Sequence, residues 1–348
     1  MGSVADHEPR SVMSSQFSRH PARRRIAGIA AAAGLAVTAA LTAPAAAGTA
    51  VAAPSAPAVQ AGAIGPGVQI ATPVTGGAEL CTANFLYTPA AGQDGHRDEP
   101  GGRGAEHQAA PAGALYLGAA AHCMAGEDAM SSVDGCREPV MPEGIEVGIR
   151  GRDGKNYTGR VAYNSWAVMQ DRGETDPQLC LYNDLSLIQL SPAAVAVADP
   201  TVPGFGGPTG LDTDGTEQGE KVYSFQPNQL VATPYKQGLS LGQPEGPRTH
   251  VVSTTPPGVP GDSGSGYLDA RGRAFGLLSS LMLPTNTNGV TDIARALAYA
   301  ERYGEVGALE VVPGRVPFTP GVLPLTELPS GPSLPALPLP DLTPAPLR

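Results

Sequence analysis

The chain has 348 residues, of which 41% are hydrophobic and 16% charged, and its formal net charge is −10. This length can bury one large core or two small ones, and the acidic balance argues against nucleic acid or anionic lipid as a partner. The 45 glycines and 36 prolines favour a β protein rich in turns over a helical bundle.

The N-terminus has the pattern of a secretory signal peptide. Three arginines at 23–25 precede an apolar stretch at 26–41, and small residues follow, the order typical of such signals. The apolar stretch is short and weakly hydrophobic for a membrane span. We therefore predict a signal peptide at residues 1–47 and a secreted, extracellular chain. Without it, 17 basic and 30 acidic residues remain, a net charge of −13, so neither a membrane nor a nucleic acid partner is expected.

Two segments near the N-terminus lack hydrophobic periodicity. Residues 48–75 are rich in alanine, proline and glycine, which predicts a flexible leader. Residues 88–113 are polar and glycine-rich, which predicts a long exposed loop.

All four cysteines, Cys81, Cys123, Cys136 and Cys180, follow the signal peptide. An even number of cysteines in a secreted chain predicts two disulfides, with three possible connectivities. No C-x-x-C pair occurs, so we expect no metal site and no other cofactor.

Most of the remaining chain consists of short strand-like runs divided by Gly and Pro, such as "GIEVGIRG", "DLSLIQL" and "GEKVYSFQ". This pattern predicts an all-β barrel or sandwich. One helix is expected in "TDIARALAYAERYG", with Thr291 as its cap and Gly304 at its end. Residues 313–348 are proline-rich and predict an extended tail.

Three motifs contain residues suited to nucleophilic catalysis. "AAAHC" places His122 after an apolar strand, "YNDLSLIQL" places Asp184 at the head of a strand, and "PGDSGSG" places Ser263 in a turn. Alone, they are equally typical of a core histidine, a strand-start cap and a turn residue. A serine hydroxyl, however, needs a base to accept its proton, and a histidine oriented by a carboxylate is such a base.

These motifs resemble the "TAAHC", "DIALL" and "GDSGGP" motifs of the chymotrypsin-like (trypsin family) serine proteases, in the same order. The resemblance extends from Cys81 to about Tyr303 and is closest to secreted actinobacterial members. It implies an all-β fold of two six-stranded antiparallel β-barrels with a C-terminal helix, forming a protease domain at residues 76–312. It also implies a monomer that acts on protein or peptide substrates.

The resemblance also implies a role for each site residue. His122 is the general base, Asp184 orients its ring, and Ser263 is the nucleophile. The backbone N–H groups of Gly261 and Ser263 form the oxyanion hole.

Within this family a cysteine that follows the histidine pairs with one on an earlier strand. The resemblance therefore implies a Cys81–Cys123 disulfide and leaves Cys136 to pair with Cys180.

The substrate pocket is assigned by family spacing to Pro257, Ser279, Ser280 and Leu281. None of these is a carboxylate, so we expect a neutral residue before the cut rather than Lys or Arg. "GDSGSG" and Leu281 depart from the family pattern, so a secreted binding protein without catalysis remains an alternative. An esterase that uses the same acyl transfer is another.

Overall fold

A computed structural model describes residues 62–91, 113–125, 134–228, 233–282 and 284–321. The signal peptide predicted at residues 1–47 lies outside the described residues, as does nearly all of the predicted 88–113 loop. Within the described ranges, no helix is both long enough and apolar enough to cross a membrane.

The described part contains fourteen strands, four α-helices and one 3₁₀ helix. The strands are β1 (Gln69–Val74), β2 (Gly77–Thr82), β3 (Leu86–Pro89), β4 (Tyr116–Ala119), β5 (Glu146–Arg150), β6 (Asn156–Asn164), β7 (Ser186–Leu190), β8 (Gln218–Phe225), β9 (Tyr235–Leu241), β10 (Thr249–Thr254), β11 (Gly266–Leu268), β12 (Ala274–Met282), β13 (Thr287–Asp292) and β14 (Leu309–Val311). The helices are the 3₁₀ helix (Ala121–Met124), α1 (Ser165–Asp171), α2 (Pro177–Tyr182), α3 (Pro192–Val195) and α4 (Ile293–Tyr303).

The strands form two sheets. The first has eight strands in the order β14-β3-β4-β7-β6-β5-β1-β2, and the second is a closed barrel in the order β10-β13-β12-β11-β8-β9. Alternation along β5 buries Val147 and Ile149 in the main core, as expected for a sheet with one covered face. The closed barrel encloses a separate cluster formed by Val222, Val252, Tyr267, Phe275, Leu278 and Val290.

This architecture confirms the all-β prediction and the six-stranded second barrel. The first sheet has eight strands rather than the expected six, and its two outermost strands are β14 and β2. Strand β14 pairs with β3 through Leu309↔Pro89 and Val311↔Tyr87, so the chain beyond the last helix returns to the first sheet.

The prediction of a flexible leader through residue 75 is wrong for strand β1. This strand pairs with β2 along its whole length but with β5 only at residues 69–71. Pro73 therefore lies where only one neighbour pairs, a position that tolerates a residue without an N–H group. Ile70, by contrast, is fully buried.

The prediction of an extended tail from residue 313 is also wrong at its start. The N–H of Gly207 donates to Val316 O at 2.9 Å, and the N–H of Thr319 donates to Phe205 O at 2.7 Å. The ring of Phe318 packs edge-on against Tyr223, with a 5.3 Å centroid distance. Backbone hydrogen bonds and the Phe318 ring thus bind residues 314–319 to the body of the protein, whereas residues 322–348 lie outside the described ranges.

The helix expected near residue 291 is present as α4, but its cap lies one residue later than predicted. An Asp292 carboxylate oxygen accepts the N–H of Arg295 at 2.8 Å. Thr291 remains in strand β13, and its hydroxyl donates to Tyr182 O at 3.0 Å. Gly304 follows the helix as predicted.

Both disulfides have the pairing that the resemblance implies, Cys81–Cys123 and Cys136–Cys180. They close sequence separations of 42 and 44 residues, and each typically contributes about 2–4 kcal/mol by restricting the unfolded chain. The first joins strand β2 to the 3₁₀ helix.

Candidate active site

Asp184 is a buried carboxylate, 2% exposed, just before strand β7. One of its oxygens accepts the backbone N–H of His122 at 2.9 Å. The other accepts the hydroxyl of Ser279 at 2.5 Å and faces the His122 ring. These donors offset the cost of burying the charge and fix the orientation of both oxygens.

His122 lies in the 3₁₀ helix, with 19% of its side chain exposed. Its Nδ1 is 2.7 Å from Asp184 Oδ2. A carboxylate only accepts hydrogen bonds, so in the neutral ring the proton is on Nδ1 and the lone pair is on Nε2. The Nε2 lone pair can therefore accept a proton.

The pKa of His122 reflects opposing effects. Burial lowers it, but the charge and hydrogen bond of Asp184, together with the charge of Glu79, raise it above its usual value. Glu79 is on strand β2, two residues before Cys81, and residues two apart share a face of a strand. Because Cys81 is bonded to Cys123, this face is directed toward the histidine.

Ser263 lies in the loop between β10 and β11, against the end of strand β2. The N–H of Thr82 donates to Ser263 O at 2.9 Å. The Thr82 hydroxyl and the Asn228 amide both donate to Gly261 O, at 2.7 and 2.5 Å. The loop carbonyls are thereby held in place. Among the described residues, the N–H groups of Gly261 and Ser263 donate no hydrogen bond and remain available as a pair.

The structure brings the Ser263 backbone beside the histidine segment, because Ser263 O is 4.0 Å from Cys123 Sγ. In this state the Ser263 hydroxyl makes no hydrogen bond to the His122 ring within the described part of the chain. Hydrogen bonds between catalytic groups are often long before substrate binds and shorten in the complex.

Two glycines permit the tight course of this loop. Gly261 has φ +94° and Gly264 has φ +89°, values that favour glycine. A Cβ on Gly264 would also lie 2.4 Å from Thr82 O. The loop can approach strand β2 this closely only with glycine at position 264.

We expect Gly264→Ala to lower the free energy of unfolding by about 3 kcal/mol, because left-handed strain adds to the steric clash. Gly77→Ala is the matched control. Gly77 has open space around it and no positive φ, so its replacement should change stability by less than about 0.5 kcal/mol. Urea denaturation measures both, and equal effects would contradict this account of the loop.

The residues assigned to the substrate pocket divide into two groups in the structure. Ser279 contacts Asp184 through its hydroxyl, so its side chain belongs to the carboxylate network rather than to a pocket wall. Ser280 and the segment that follows Pro257 are joined by Asn288, which accepts the Gly258 N–H at 2.7 Å and donates to Ser280 O at 3.1 Å.

Leu281 follows Ser280, the residue whose carbonyl accepts the Asn288 amide, and is 40% exposed. Its side chain is therefore accessible from solvent at the position where the pocket entrance was predicted.

No protein-family model and no curated protein matches the chain. Several solved structures resemble it. Protease A from Thermobifida fusca is 13% identical over 72% of this chain and 99% of that chain, with a TM-score of 0.40. The active form of the Rv3671c protease from M. tuberculosis is 11% identical over 70% and 85%, with a TM-score of 0.39. A glutamic acid specific serine protease is 17% identical over 72% and 100%, with a TM-score of 0.38.

All three of these solved structures are proteases.

Proposed function

We propose that the chain is a secreted serine endopeptidase that hydrolyses peptide bonds through an acyl-enzyme intermediate. The main support is the 2.7 Å contact between His122 Nδ1 and the buried carboxylate of Asp184. This contact leaves Nε2 as an acceptor near the loop that carries Ser263.

In the proposed mechanism, Ser263 Oγ bonds to the carbonyl carbon of the substrate while its proton passes to His122 Nε2. The carbonyl oxygen becomes an oxyanion and accepts the N–H groups of Gly261 and Ser263. The C–N bond then breaks, and the leaving amine takes the proton from Nε2. Water attacks the acyl-enzyme by the same route, which releases the acid and restores the Ser263 hydroxyl.

The proposed specificity is for a neutral, small or apolar residue before the cut. Asn288 is hydrogen-bonded to Gly258, next to Pro257, and to Ser280, and none of these four residues is a carboxylate that could bind a basic side chain. The exposed Leu281 side chain narrows the entrance. A peptide panel in which arginine substrates are cut fastest would contradict this proposal.

Secretion is proposed from the N-terminal signal pattern and is supported by the two disulfides, which form and persist in oxidising compartments. We also propose that the chain acts as a monomer on protein or peptide substrates.

The direct test is hydrolysis of casein, together with a matched pair of peptide amide and ester substrates. An endopeptidase should cut both casein and the amide. Cleavage of the ester alone would show an esterase, and a folded protein inactive on all three would show a binding protein that retains the scaffold.

The pH dependence provides a further prediction. Catalysis needs neutral His122, and its pKa is raised, so kcat/KM should rise with pH through a midpoint above the usual value of about 6.5. Glu79→Gln removes a negative charge that favours the imidazolium, so this midpoint should move to lower pH. The exposed Glu310, on strand β14, is the control: Glu310→Gln should leave the midpoint unchanged. Equal profiles for all three proteins would contradict the assigned role of Glu79.

A further inference from the structure

Two cavities, with volumes of about 250 and 320 Å³, lie outside the proposed catalytic site. Because both are lined by Arg152 and Pro203, they adjoin each other, and we call them together the Arg152 groove. Val316 and Pro317 also line the first cavity, and Pro227 also lines the second. The side chains of these last three residues are exposed, so the groove has apolar walls that are open to solvent.

Aromatic rings connect the two cavities of the Arg152 groove. Phe205 lines the first cavity and Phe225 lines the second. The ring of Tyr235 lies between them, with centroid distances of 6.0 Å to Phe205 and 5.5 Å to Phe225. Grooves lined by aromatic rings are surfaces on which proline-rich segments bind, because the polyproline II helix is preformed and loses little entropy on binding. The chemistry of the groove therefore favours a proline-rich ligand.

The chain itself contains such a segment. Residues 322–348 include eight prolines and eight leucines. Four of the prolines recur at every third position, namely Pro329, Pro332, Pro335 and Pro338. Since a polyproline II helix has about three residues per turn, this spacing places the four prolines in one row when the segment adopts that conformation.

The residues between these prolines follow the same three-residue spacing. Leu334 and Leu337 form a second row, and Ser330, Ser333 and Ala336 form a third. In the polyproline II conformation the segment would thus have two apolar sides and one side of small, mostly polar residues. This pattern is suited to a segment that binds in an apolar groove with one side in water.

The described end of the chain leads to the groove. Val316, Pro317 and Thr319 line the first cavity, and only seven residues, 322–328, separate the last described residue from Pro329. A short connection of this kind gives the segment an effective concentration at the groove in roughly the millimolar range. A separate peptide or a second copy of the chain does not have this advantage.

The charges of the groove complement those at the two ends of the proline run. Arg150 and Arg152 line the second cavity, and no carboxylate among the described residues lines either cavity. Glu327 precedes the proline run and Asp341 follows it. Because the chain reaches the first cavity first, Asp341 is the acidic residue expected near the exposed Arg150.

We infer that the Arg152 groove binds residues 329–338 of the same chain in a polyproline II conformation. The four prolines contact the aromatic rings, the side with the serines faces solvent, and Asp341 lies beside Arg150. This inference does not depend on the proposed endopeptidase function.

The first test compares two single-cysteine variants of the full chain, Pro332→Cys and Ser333→Cys. All four native cysteines are in disulfides, so each variant has one free thiol, and its alkylation by a maleimide is followed by mass spectrometry. The thiol at position 332 faces the groove and should react about tenfold or more slowly than the thiol at 333, because it reacts only when the segment is released. In urea the two rates should be equal.

Equal rates in the folded protein would overturn the inference. A slow reaction at position 332 that becomes faster as the protein is diluted would place the segment in the groove of a second copy. That result would also overturn the inference.

The second test measures binding of a labelled synthetic peptide, residues 326–343, by fluorescence anisotropy. In a full chain with all four prolines replaced by alanine, the groove is free and should bind the peptide. The wild type should bind it about tenfold or more weakly, because its own segment competes. Binding of equal strength to the two proteins, or to neither, would overturn the inference.

A pair of arginine substitutions in the four-alanine variant tests the position of the peptide. Arg150→Glu should weaken peptide binding about fivefold, because Asp341 loses its partner. Arg137→Glu is the control, since the Arg137 side chain is 84% exposed and lies outside the groove. Equal effects of the two substitutions would contradict the proposed position of Asp341, and circular dichroism verifies that each variant is folded.

Discussion

Ser263→Ala is expected to lower kcat by roughly 10⁶-fold, the scale at which a serine nucleophile is lost from a complete triad. The reason is that no other hydroxyl of the loop is placed to form the acyl-enzyme. The measurement is kcat and KM on a fluorogenic peptide amide, with circular dichroism to verify folding.

Ser265→Ala is the matched control for this change. Ser265 lies two residues further along the same loop, is fully buried, and has a hydroxyl without a hydrogen-bond partner in the described structure. Its removal should leave kcat unchanged within about twofold, because only a hydroxyl without a partner is lost. A Ser263→Ala protein that retains wild-type turnover would contradict the assignment of the nucleophile.

Asp184→Asn is the second large expected effect, a loss of about 10⁴-fold in kcat with the fold intact. The backbone N–H of His122 can only donate, so the oxygen of the substituted amide faces it. The NH₂ group is then directed toward Nδ1 of the ring. Nδ1 must accept, the ring proton moves to Nε2, and Nε2 can no longer receive the proton of Ser263.

The control for this change is Asp171→Asn, an exposed carboxylate at the end of helix α1. It should leave kcat unchanged. An Asp184→Asn protein as active as this control would show that the carboxylate does not set the ring tautomer.

The sequence was most informative about the candidate catalytic residues, because each of them lies within a short motif of adjacent residues. His122, Asp184 and Ser263 are each flanked by a short motif, and the order of those motifs pointed to a common chemistry. The second barrel was also predictable, because each of its strands is a short run closed by a turn.

Contacts between distant strands were not predictable. Thr82 and Asn228 hold Gly261, in the loop of Ser263, from 179 and 33 residues away in sequence, and only the closure of the sheets brings them there. Asn288 follows Thr287 in a strand with several polar residues, so no local pattern distinguishes it. Helices α1, α2 and α3 are too short to show a 3.6-residue period.

The ends of the fold were missed for a compositional reason. Strand β1 and residues 314–319 are rich in proline, alanine or glycine, which resembles a linker when each segment is considered alone. The burial of Ile70 in strand β1 and the packing of Phe318 against Tyr223 become evident only once the partner elements are known.

Ser263 is the proposed nucleophile. The most direct test is to treat the protein with a fluorophosphonate, digest it, and locate the adduct by mass spectrometry. We expect fluoride to be displaced and a single phosphonyl group to be attached to Ser263 Oγ, at a rate strongly reduced in Asp184→Asn. A protein that hydrolyses peptides but carries the adduct on another residue, or carries none, would contradict the claim.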